Sequence, residues 1–384
     1  MSDFDRRQFI KATAGLGAAG LGGLAGCTGG PSGGDETTTT TTTTTEGGDG
    51  TQTSTEQTTT ASDVTHVGMV YATGGLGDGS FNDQAQQGLF QAVDEYNVEY
   101  EQVQPDSASQ FANYQQQLAS SKNPDFDLVS CIGFLQKDAL AETAPQYPDQ
   151  DFQIVDEVVD EPNVASYTFR EHEGSFLVGV LASKLTTMDF SAGAGSTEPD
   201  STNLGFVGGI EGALIKKFEA GFKAGVKHAN DDVDVSTSYV GSFNDPSGGK
   251  EAALSMYGSG ADIIYHASGN TGTGVFQAAQ EKGRFAIGVD RDQSVTKSSY
   301  KDVILASMVK RVDTAVFNAI EAKVNGEFPG GSHTTLGLDD DGVACVYGQQ
   351  LGSAIPSSVK TAVQDAKTGI MEGDITVPTD PKNV

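Results

Sequence analysis

From Val64 onward, the chain repeats one pattern of hydrophobic and polar positions. A short run of apolar and β-branched residues is followed by a polar or glycine-rich loop and then by apolar residues at helical spacing. Apolar runs without alternation are typical of strands buried on both faces, and their regular alternation with helices indicates parallel sheets covered by helices. Because the pattern starts again near residue 203, we predict an α/β protein with two doubly wound parallel-sheet lobes.

The predicted elements divide between these two lobes. We place the N-terminal lobe at 64–186 with about 311–330, and the C-terminal lobe at 187–310 with about 331–384. The last stretch, from 330 onward, shows no clear period and is predicted only as a mixed tail. The predicted strands lie at 65–71, 127–133, 152–156, 164–169, 203–209, 235–241, 261–267, 285–290 and 303–308, and the predicted helices at about 82–96, 137–144, 171–186, 214–228, 247–258, 272–282 and 311–325.

The first 63 residues follow a different pattern. Arg6 and Arg7 precede an apolar Ala, Gly and Leu stretch that ends in Leu-Ala-Gly before Cys27. This order predicts a twin-arginine export signal with a lipobox over 1–27 and a lipid on Cys27. Residues 28–63 are rich in Thr, Ser and Gly, a composition that cannot bury a core and predicts a disordered tether. We therefore expect a globular body that is lipid-anchored at the extracellular face of the cell membrane.

The composition is strongly acidic, with 52 Asp and Glu against 23 Lys and Arg and a formal charge of −29. Such a chain repels phosphate backbones, so we expect no nucleic-acid partner. The acidic residues are spread along the whole chain. We interpret them as a solvated surface suited to high salt, as in halophilic proteins, with an acidic partner-binding face as the alternative.

The sequence carries no motif for catalysis, metal binding or cofactor binding. It has no H-E-x-x-H, G-x-S-x-G, C-x-x-C or Walker loop, and its five histidines show no metal-ligand spacing. Cys131 and Cys345 lie in apolar, strand-like runs, and we expect buried thiols, with a disulfide as the alternative. We therefore expect a protein that is not an enzyme and needs no metal or cofactor.

The loops that follow the predicted strands carry the candidate ligand-binding residues, because ligands of doubly wound sheets bind at the carboxyl ends of strands. Phe81 and Phe243 are aromatic residues in otherwise polar loops. Phe81 is either a core residue or a stacking platform, and two such rings can sandwich a planar ligand. Asp290 and Lys310 follow two later strands. A carboxylate can accept two hydroxyl protons of a ribose, and an ammonium can donate to the same sugar.

Seven segments together resemble the basic membrane protein family, which comprises lipoprotein substrate-binding components of ABC transporters related to purine nucleoside receptor lipoproteins. The segments are GDGSFNDQAQQG, VASYTFREHEGSFLVGVLA, LGFVGGIEGALIKKFEAGFKAGV, YVGSFNDPSGGKEAAL, GADIIYHASGNTGTGVFQAA, IGVDRDQS and SMVKRVD. The resemblance covers about 65–325 in order. It implies a type I periplasmic-binding-protein fold, with two lobes joined by crossing strands. It also implies nucleoside binding without catalysis, and a permease and an ATPase as partners.

The resemblance also implies roles for individual residues. Phe81 and Phe243 would stack the base from opposite lobes, and Asp290 and Lys310 would hold the ribose. Family members commonly have an Asp just before the first Gly-Gly that can read a purine edge, but this sequence has Ala72 there, so strict purine specificity is not implied. Four further candidates for base or sugar contacts are Asn82, Asp138, Gly269 and Asn270.

Three classes of function remain open at this point. The first is a nucleoside-binding lipoprotein that delivers its ligand to an ABC importer. The second is a ligand-sensing or adhesion lipoprotein, or a binder of a sugar or another small metabolite on the same fold. The third is an exported nucleoside hydrolase, which would need clustered acids or a metal that the sequence does not indicate.

Overall fold

Two six-stranded sheets organise residues 64–384, the part of the chain that the computed structural model describes. Helices cover both faces of each sheet, and each sheet with its helices forms one lobe. This is the predicted α/β architecture of two doubly wound lobes. The export signal predicted at 1–27, with its Cys27, and the tether predicted at 28–63 lie outside the described residues.

All six strands of the N-terminal sheet are parallel. The strands are β1 (Thr65–Val70), β2 (Val98–Val103), β3 (Leu128–Ile132), β4 (Asp151–Val155), β5 (Val164–Phe169) and β13 (His333–Leu336), and the helices are α1 (Phe81–Glu95), α2 (Phe111–Ser120), α3 (Lys137–Thr143) and α9 (Val312–Val324). Their order across the sheet is β13-β5-β4-β3-β1-β2. Successive strand residues point to opposite faces, so Met69 packs with α1 and α9, whereas Val70 packs with α2 and α3.

The C-terminal sheet repeats this order, with one antiparallel strand at its edge. The strands are β8 (Asn203–Gly208), β9 (Asp234–Tyr239), β10 (Ile263–Ala267), β11 (Phe285–Asp290), β12 (Ile304–Lys310) and β14 (Val343–Tyr347), in the order β14-β12-β11-β10-β8-β9. Strand β14 runs antiparallel to β12. One face carries α4 (Glu171–Thr186), α5 (Ala213–Ala229) and α10 (Ser357–Met371), the other carries α6 (Pro246–Gly258) and α7 (Gly272–Lys282), and the short elements are β6 (Ser191–Ala192), β7 (Gly195–Ser196) and α8 (Gln293–Thr296).

The chain crosses between the lobes three times, at Arg170, at Arg311 and at 337–342. Backbone hydrogen bonds tie these crossings together. The N–H of Arg170 donates to the carbonyl oxygen of Leu336 at 2.8 Å, and the N–H of Arg311 donates to that of Gly342 at 2.9 Å. The three crossings therefore form one narrow connection between the lobes, as the resemblance implies for this fold.

The prediction places α4 in the N-terminal lobe, but the structure places it in the C-terminal lobe. Helix α4 packs mainly on α5 and also contacts α10, β12 and β14. Nearly all of its residues are buried. Because the helix is apolar on almost every face, it needs cover on all sides, which α5, α10 and the sheet provide together. Among residues 64–384, every helix, including this one, is too short or too polar to cross a membrane.

Strand β13 is the second difference, because the prediction places 331–384 in the C-terminal lobe. The structure pairs β13 with β5 at the edge of the N-terminal sheet, with His333 opposite Ser166. Its sequence, His-Thr-Thr-Leu, is short, polar and partly exposed, so it carries no apolar run that could predict a strand. The exposed edge strand β2 and helices α2 and α10 are also absent from the predicted elements.

Helices α4 and α5 contact each other backbone to backbone. An added Cβ would lie 2.0 Å from the carbonyl oxygen of Phe176 at Gly225, and 2.1 Å from that of His172 at Gly221. These distances are too short for any side chain, so this helix pair requires glycine at both positions. The close contact holds α4 in the C-terminal lobe.

The two cysteines of the described residues are free thiols, as predicted. Cys131 is fully buried in β3, and Cys345 is partly buried in β14. Burial in the sheet raises the pKa of both thiols well above the ordinary value for cysteine. Because the thiolate is the reactive form, these cysteines are inert at neutral pH.

Candidate functional site

The cleft between the lobes holds a cavity at the carboxyl ends of the parallel strands. It contains about 640 Å³ of empty space, counting its open mouth. Apolar and aromatic side chains dominate the wall, and a few ionisable groups interrupt it. The lining includes Ala72, Asp78, Phe81, Asn82, Phe134, Asp156, Leu214, Ile215, Phe218, Phe243, Gly269, Asp290 and Lys310.

Phe81 and Phe243 reach this cavity from opposite lobes. Phe81 is the first residue of α1, and Phe243 lies in the loop after β9. Each ring rests on a glycine. An added Cβ at Gly133 would lie 3.4 Å from the Phe81 ring, and one at Gly209 would lie 2.4 Å from the Phe243 ring. The position of the Phe243 ring therefore depends on the absence of a side chain at Gly209, whereas a Cβ at Gly133 would make an ordinary contact with Phe81.

The glycine-rich loop between β1 and α1 is held by Asp78 and Asn82. The Asp78 carboxylate accepts hydrogen bonds from the backbone N–H groups of Ser80 at 2.8 Å and Asn82 at 3.0 Å. The Asn82 amide accepts from the N–H of Ala72 at 2.9 Å and donates to Asp78 at 3.1 Å. Burial raises the pKa of Asp78, although these backbone hydrogen bonds oppose the shift. Asn82 thus lines the cavity but uses its side chain to hold the loop.

Lys310, the last residue of β12, carries a buried ammonium between the lobes. Its Nζ lies 2.6 Å from Oδ2 of Asp156 and 4.0 Å from Oε1 of Glu171. Only 2% of Lys310 is exposed. Three phenylalanine rings face the same ammonium, and its distances to their centroids are 4.7 Å for Phe81, 5.5 Å for Phe169 and 5.4 Å for Phe218. Such a position favours the charged form through both ion pairing and cation–π attraction.

Asp156 and Asp290 occupy equivalent positions in the two lobes. Asp156 directly follows β4, Asp290 ends β11, and these strands have the same place in the order of their sheets. Both have left-handed backbones, with φ of 73° and 63°, a conformation that costs free energy in any residue other than glycine. Both carboxylates line the cavity, and that of Asp290 accepts a hydrogen bond from the Ser80 hydroxyl.

Three buried carboxylates surround the ammonium of Lys310, and one of them, Glu171, also lies 3.8 Å from the Nζ of Lys217. Burial raises the pKa of Asp290 to about 6 and that of Glu171 to about 7, although Lys310 opposes both shifts. Burial alone would lower the pKa of Lys310, but Asp156, Asp290 and Glu171 together raise it above its ordinary value. Lys310 is therefore charged at neutral pH.

Six of the eight predicted ligand-binding residues line this cavity: Phe81, Asn82, Phe243, Gly269, Asp290 and Lys310. The other two do not. Asp138 is exposed in the first turn of α3. Asn270 donates to Oδ1 of Asn244 at 2.7 Å and accepts from Thr273 at 3.1 Å, away from the cavity. Its neighbour Gly269 lines the cavity instead, with a positive φ of 55°.

Asp156 and Phe134 are the main cavity residues that the sequence analysis does not identify. Phe134 stands edge-on to Phe243, with ring centroids 6.2 Å apart and an interplanar angle of 84°. Asp156 directly follows β4 and Phe134 lies two residues after the end of β3, while Asp290 and Lys310 are the last residues of their strands. The same rule about the carboxyl ends of strands would therefore find them.

Comparison with known families agrees with this architecture. The sequence profile of the Bmp family, described as ABC transporter substrate-binding proteins like PnrA, matches residues 65–379. The chain belongs to this family. The resemblance drawn from the sequence segments is thus confirmed, and this Bmp-family protein is a substrate-binding protein of the ABC transporter type.

Relatives of this Bmp-family protein carry names that fit this membership. An ABC transporter nucleoside-binding protein, BmpA, from Lactococcus lactis is 36% identical over 325 residues, covering 79% of this chain and 86% of the relative. Basic membrane protein A of Borreliella burgdorferi is 32% identical over 330 residues, covering 84% and 90%. A CD4+ T-cell-stimulating antigen of Listeria innocua is 40% identical over 334 residues, covering 82% and 88%.

A solved structure shares the fold of the Bmp-family protein. The crystal structure of an ABC transporter solute-binding protein from Aeropyrum pernix superposes with a TM-score of 0.72 at 28% identity. The alignment covers 83% of this chain and 95% of that structure. The predicted periplasmic-binding-protein fold is therefore confirmed.

Proposed function

We propose that this protein binds a nucleoside in the interlobe cleft and delivers it to an ABC importer, without catalysing a reaction. One observation carries the proposal: a single cavity combines aromatic rings from both lobes with a carboxylate and an ammonium. Aromatic rings stack on any nucleobase, and carboxylates accept the hydroxyl protons of a ribose. The relative from Lactococcus lactis, named as a nucleoside-binding protein, supports the same class of ligand.

The ligand would use the cavity in two halves. The base lies between Phe81 and Phe243, which come from opposite lobes. The ribose lies at Asp290 and Lys310, which accept from and donate to its hydroxyls. Asp156 supports this half of the site, because its Oδ1 is buried without a hydrogen-bond partner among the described residues. A ribose hydroxyl would give this oxygen a donor.

The base edge has few groups that could read it. The side chain of Ala72, which lines the cavity, is only a methyl group, and the Asn82 amide is already bonded to Asp78 and to the N–H of Ala72. Hydrogen-bond readout is what separates close analogues strongly, whereas stacking tolerates every base. We therefore expect the site to select for a nucleoside over its parts and to accept several bases.

Closure of the lobes would commit the ligand to the site. Contacts between the lobes already involve the loop between β1 and α1, since the hydroxyl of Thr296 donates to the carbonyl oxygen of Gly79 at 2.7 Å and the amide of Gln293 donates to it at 3.3 Å. The Ser80–Asp290 hydrogen bond lies beside them. Hinge motion at the three crossings would break these contacts on opening and remake them on closing, and the closed form would be the one that docks on the permease.

The proposed place of action is the extracellular face of the cell membrane. This part rests on the sequence, in which the twin-arginine pair and the lipobox precede Cys27. A lipid on Cys27 and the tether at 28–63 would keep the two lobes near the permease and its ATPase. Mass spectrometry of the membrane fraction would detect a diacylglyceryl adduct at Cys27, and an unmodified N-terminus would contradict the anchor.

Calorimetric titration of the purified protein tests the ligand class. The panel comprises purine and pyrimidine ribonucleosides, the free bases, ribose and other sugars. Binding of a ribonucleoside, with much weaker binding of its base and of ribose, supports the proposal. Binding of a sugar or another metabolite in place of every nucleoside would leave the fold unchanged but overturn the ligand class. Release of free base from a bound nucleoside would instead indicate a hydrolase.

A further inference from the structure

A second recess lies between the lobes, and it shares no lining residue with the nucleoside cavity. It has about 630 Å³ of empty space, counting its open mouth. Gln84 and Asp313 line it from the N-terminal lobe, Arg291 from the C-terminal lobe, and Arg311 at a crossing between them. Any occupant would therefore contact both lobes.

The two arginines of this recess have no acidic partner within residues 64–384. The Arg291 guanidinium donates to the amide oxygen of Gln87 at 2.7 Å, and Arg311 makes no side-chain hydrogen bond or ion pair in that part of the chain. In a protein with 52 acidic residues, two unpaired guanidiniums in one recess are an unusual arrangement. Guanidinium groups bind carboxylates strongly and with a defined geometry.

Two further polar side chains line the recess, and one atom of Asp313 is buried without a partner among the described residues. Gln84 is 4% exposed, and its amide makes no hydrogen bond among the described residues. Asp313 is 7% exposed, and its Oδ1 also lacks a partner there. A buried polar group without a partner costs free energy, and a carboxylate costs the most. An ammonium group in the recess would satisfy Asp313.

We propose that this recess binds a small zwitterion, an α-amino acid with an apolar side chain. Its carboxylate would lie at Arg291 and Arg311, and its ammonium would lie at Asp313. Three valines, Val295, Val309 and Val346, supply an apolar surface for the side chain. The proposal is independent of nucleoside binding, because its residues are separate from those of the first cavity.

Calorimetry and thermal unfolding of the purified protein with three matched probes test this proposal. L-leucine carries both charged groups, 4-methylpentanoate carries only the carboxylate, and isopentylamine carries only the ammonium. We expect L-leucine to bind and to raise the melting temperature. The affinity of each of the other two probes should be lower by at least about tenfold, because each leaves one charged group of the recess unpaired.

Variants assign the binding to the recess. Arg311→Gln should abolish L-leucine binding, and Arg311 is exposed, so the fold should tolerate the change. Asp313→Asn should weaken L-leucine but spare 4-methylpentanoate. Lys301→Gln, which removes an exposed cation outside the recess, is the matched control and should change nothing. Equal binding of all three probes, unchanged L-leucine binding in Arg311→Gln, or binding of inorganic phosphate in place of L-leucine would overturn the proposal.

Discussion

The ammonium of Lys310 and the carboxylate of Asp156 lie 2.6 Å apart and join the two lobes through a buried ion pair. Their side chains are only 2% and 3% exposed. Lys310 ends a strand of the C-terminal sheet, and Asp156 follows a strand of the N-terminal sheet. Both residues also line the cavity. Lys310, which would bind the sugar, therefore also holds the two lobes together.

Lys310→Met should strongly destabilise the protein. It leaves the carboxylate of Asp156 without its ion-pair partner and Glu171 with Lys217 as its remaining cation, and loss of one partner of a buried pair costs about 3–5 kcal/mol. Urea denaturation followed by circular dichroism measures the change. Lys122→Met is the control, because Lys122 forms an exposed pair with Asp125, and it should change stability by less than about 1 kcal/mol. Similar effects of the two variants would contradict the structural role of Lys310.

Phe243→Ala should weaken nucleoside binding by about tenfold or more, since one base–aromatic stack contributes about 1–3 kcal/mol. Calorimetric titration measures the affinity. Phe90→Ala is the matched control, because Phe90 is 41% exposed and lies outside the cavity. Unchanged affinity in Phe243→Ala would contradict the stacking role of this ring.

The stability of the protein should depend on pH through Glu171. Its pKa is raised from the ordinary 4.5 to about 7, first by burial and then by Asp156, against the opposing effect of Lys310 and Lys217. Between pH 4.5 and pH 7, the folded state therefore binds more protons at Glu171 than the unfolded state does. The contribution of Glu171 to the free energy of unfolding therefore falls as the pH rises from about 4.5 to about 7, and it remains low at higher pH.

Glu171→Gln isolates this effect from the other titrating groups. Asp262 and Asp290, with raised pKa values, act in the same direction, and the buried His172 and His266, with pKa lowered to about 4 by burial, act in the opposite one. The free energy of unfolding of Glu171→Gln, relative to the wild type, should increase between pH 5 and pH 8. The exposed control Glu142→Gln should show no such trend. A constant difference for Glu171→Gln would contradict a raised pKa.

Gly225→Ala should destabilise the contact between α4 and α5. The added methyl group would lie 2.0 Å from the carbonyl oxygen of Phe176, so the helices would have to move apart, at a cost of about 1–3 kcal/mol or more. Gly258→Ala is the control, because nothing lies within 4 Å of its Cβ position. The melting temperatures of the two variants are compared by thermal unfolding. Equal melting temperatures would show that α4 and α5 accommodate the added methyl group without loss of stability.

The sequence predicts the buried elements of this protein well, because their patterns are set by burial alone. The predicted bounds 164–169, 171–186, 272–282 and 285–290 agree with β5, α4, α7 and β11. Which lobe an element joins is a different matter. Helix α4 lies in the C-terminal lobe because it contacts α5, and the polar strand β13 exists because β5 offers it an edge. Neither contact leaves a signal within its own segment.

The candidate site divides in a similar way. Phe81, Phe243, Asp290 and Lys310 carry local signals, because they are unusual residues for loops or strand ends, and all four line the cavity. Asn270 looks equally suitable in the sequence, but its amide bonds to Asn244, a contact that depends on how two loops pack. Asp156 gains its importance from Lys310 in the other lobe, which only the arrangement of the lobes reveals.

A thermodynamic cycle that combines one variant with one ligand analogue, at the ribose half of the site, tests the central claim most directly. The affinities of a ribonucleoside and of its 2′,3′-dideoxy analogue are measured by calorimetry on the wild type and on Asp290→Asn. If Asp290 holds the ribose hydroxyls within a nucleoside site, the wild type should prefer the ribonucleoside by about tenfold or more, and Asp290→Asn should lose most of that preference. Equal affinity of the wild type for both ligands, or the same preference in Asp290→Asn, would contradict the account.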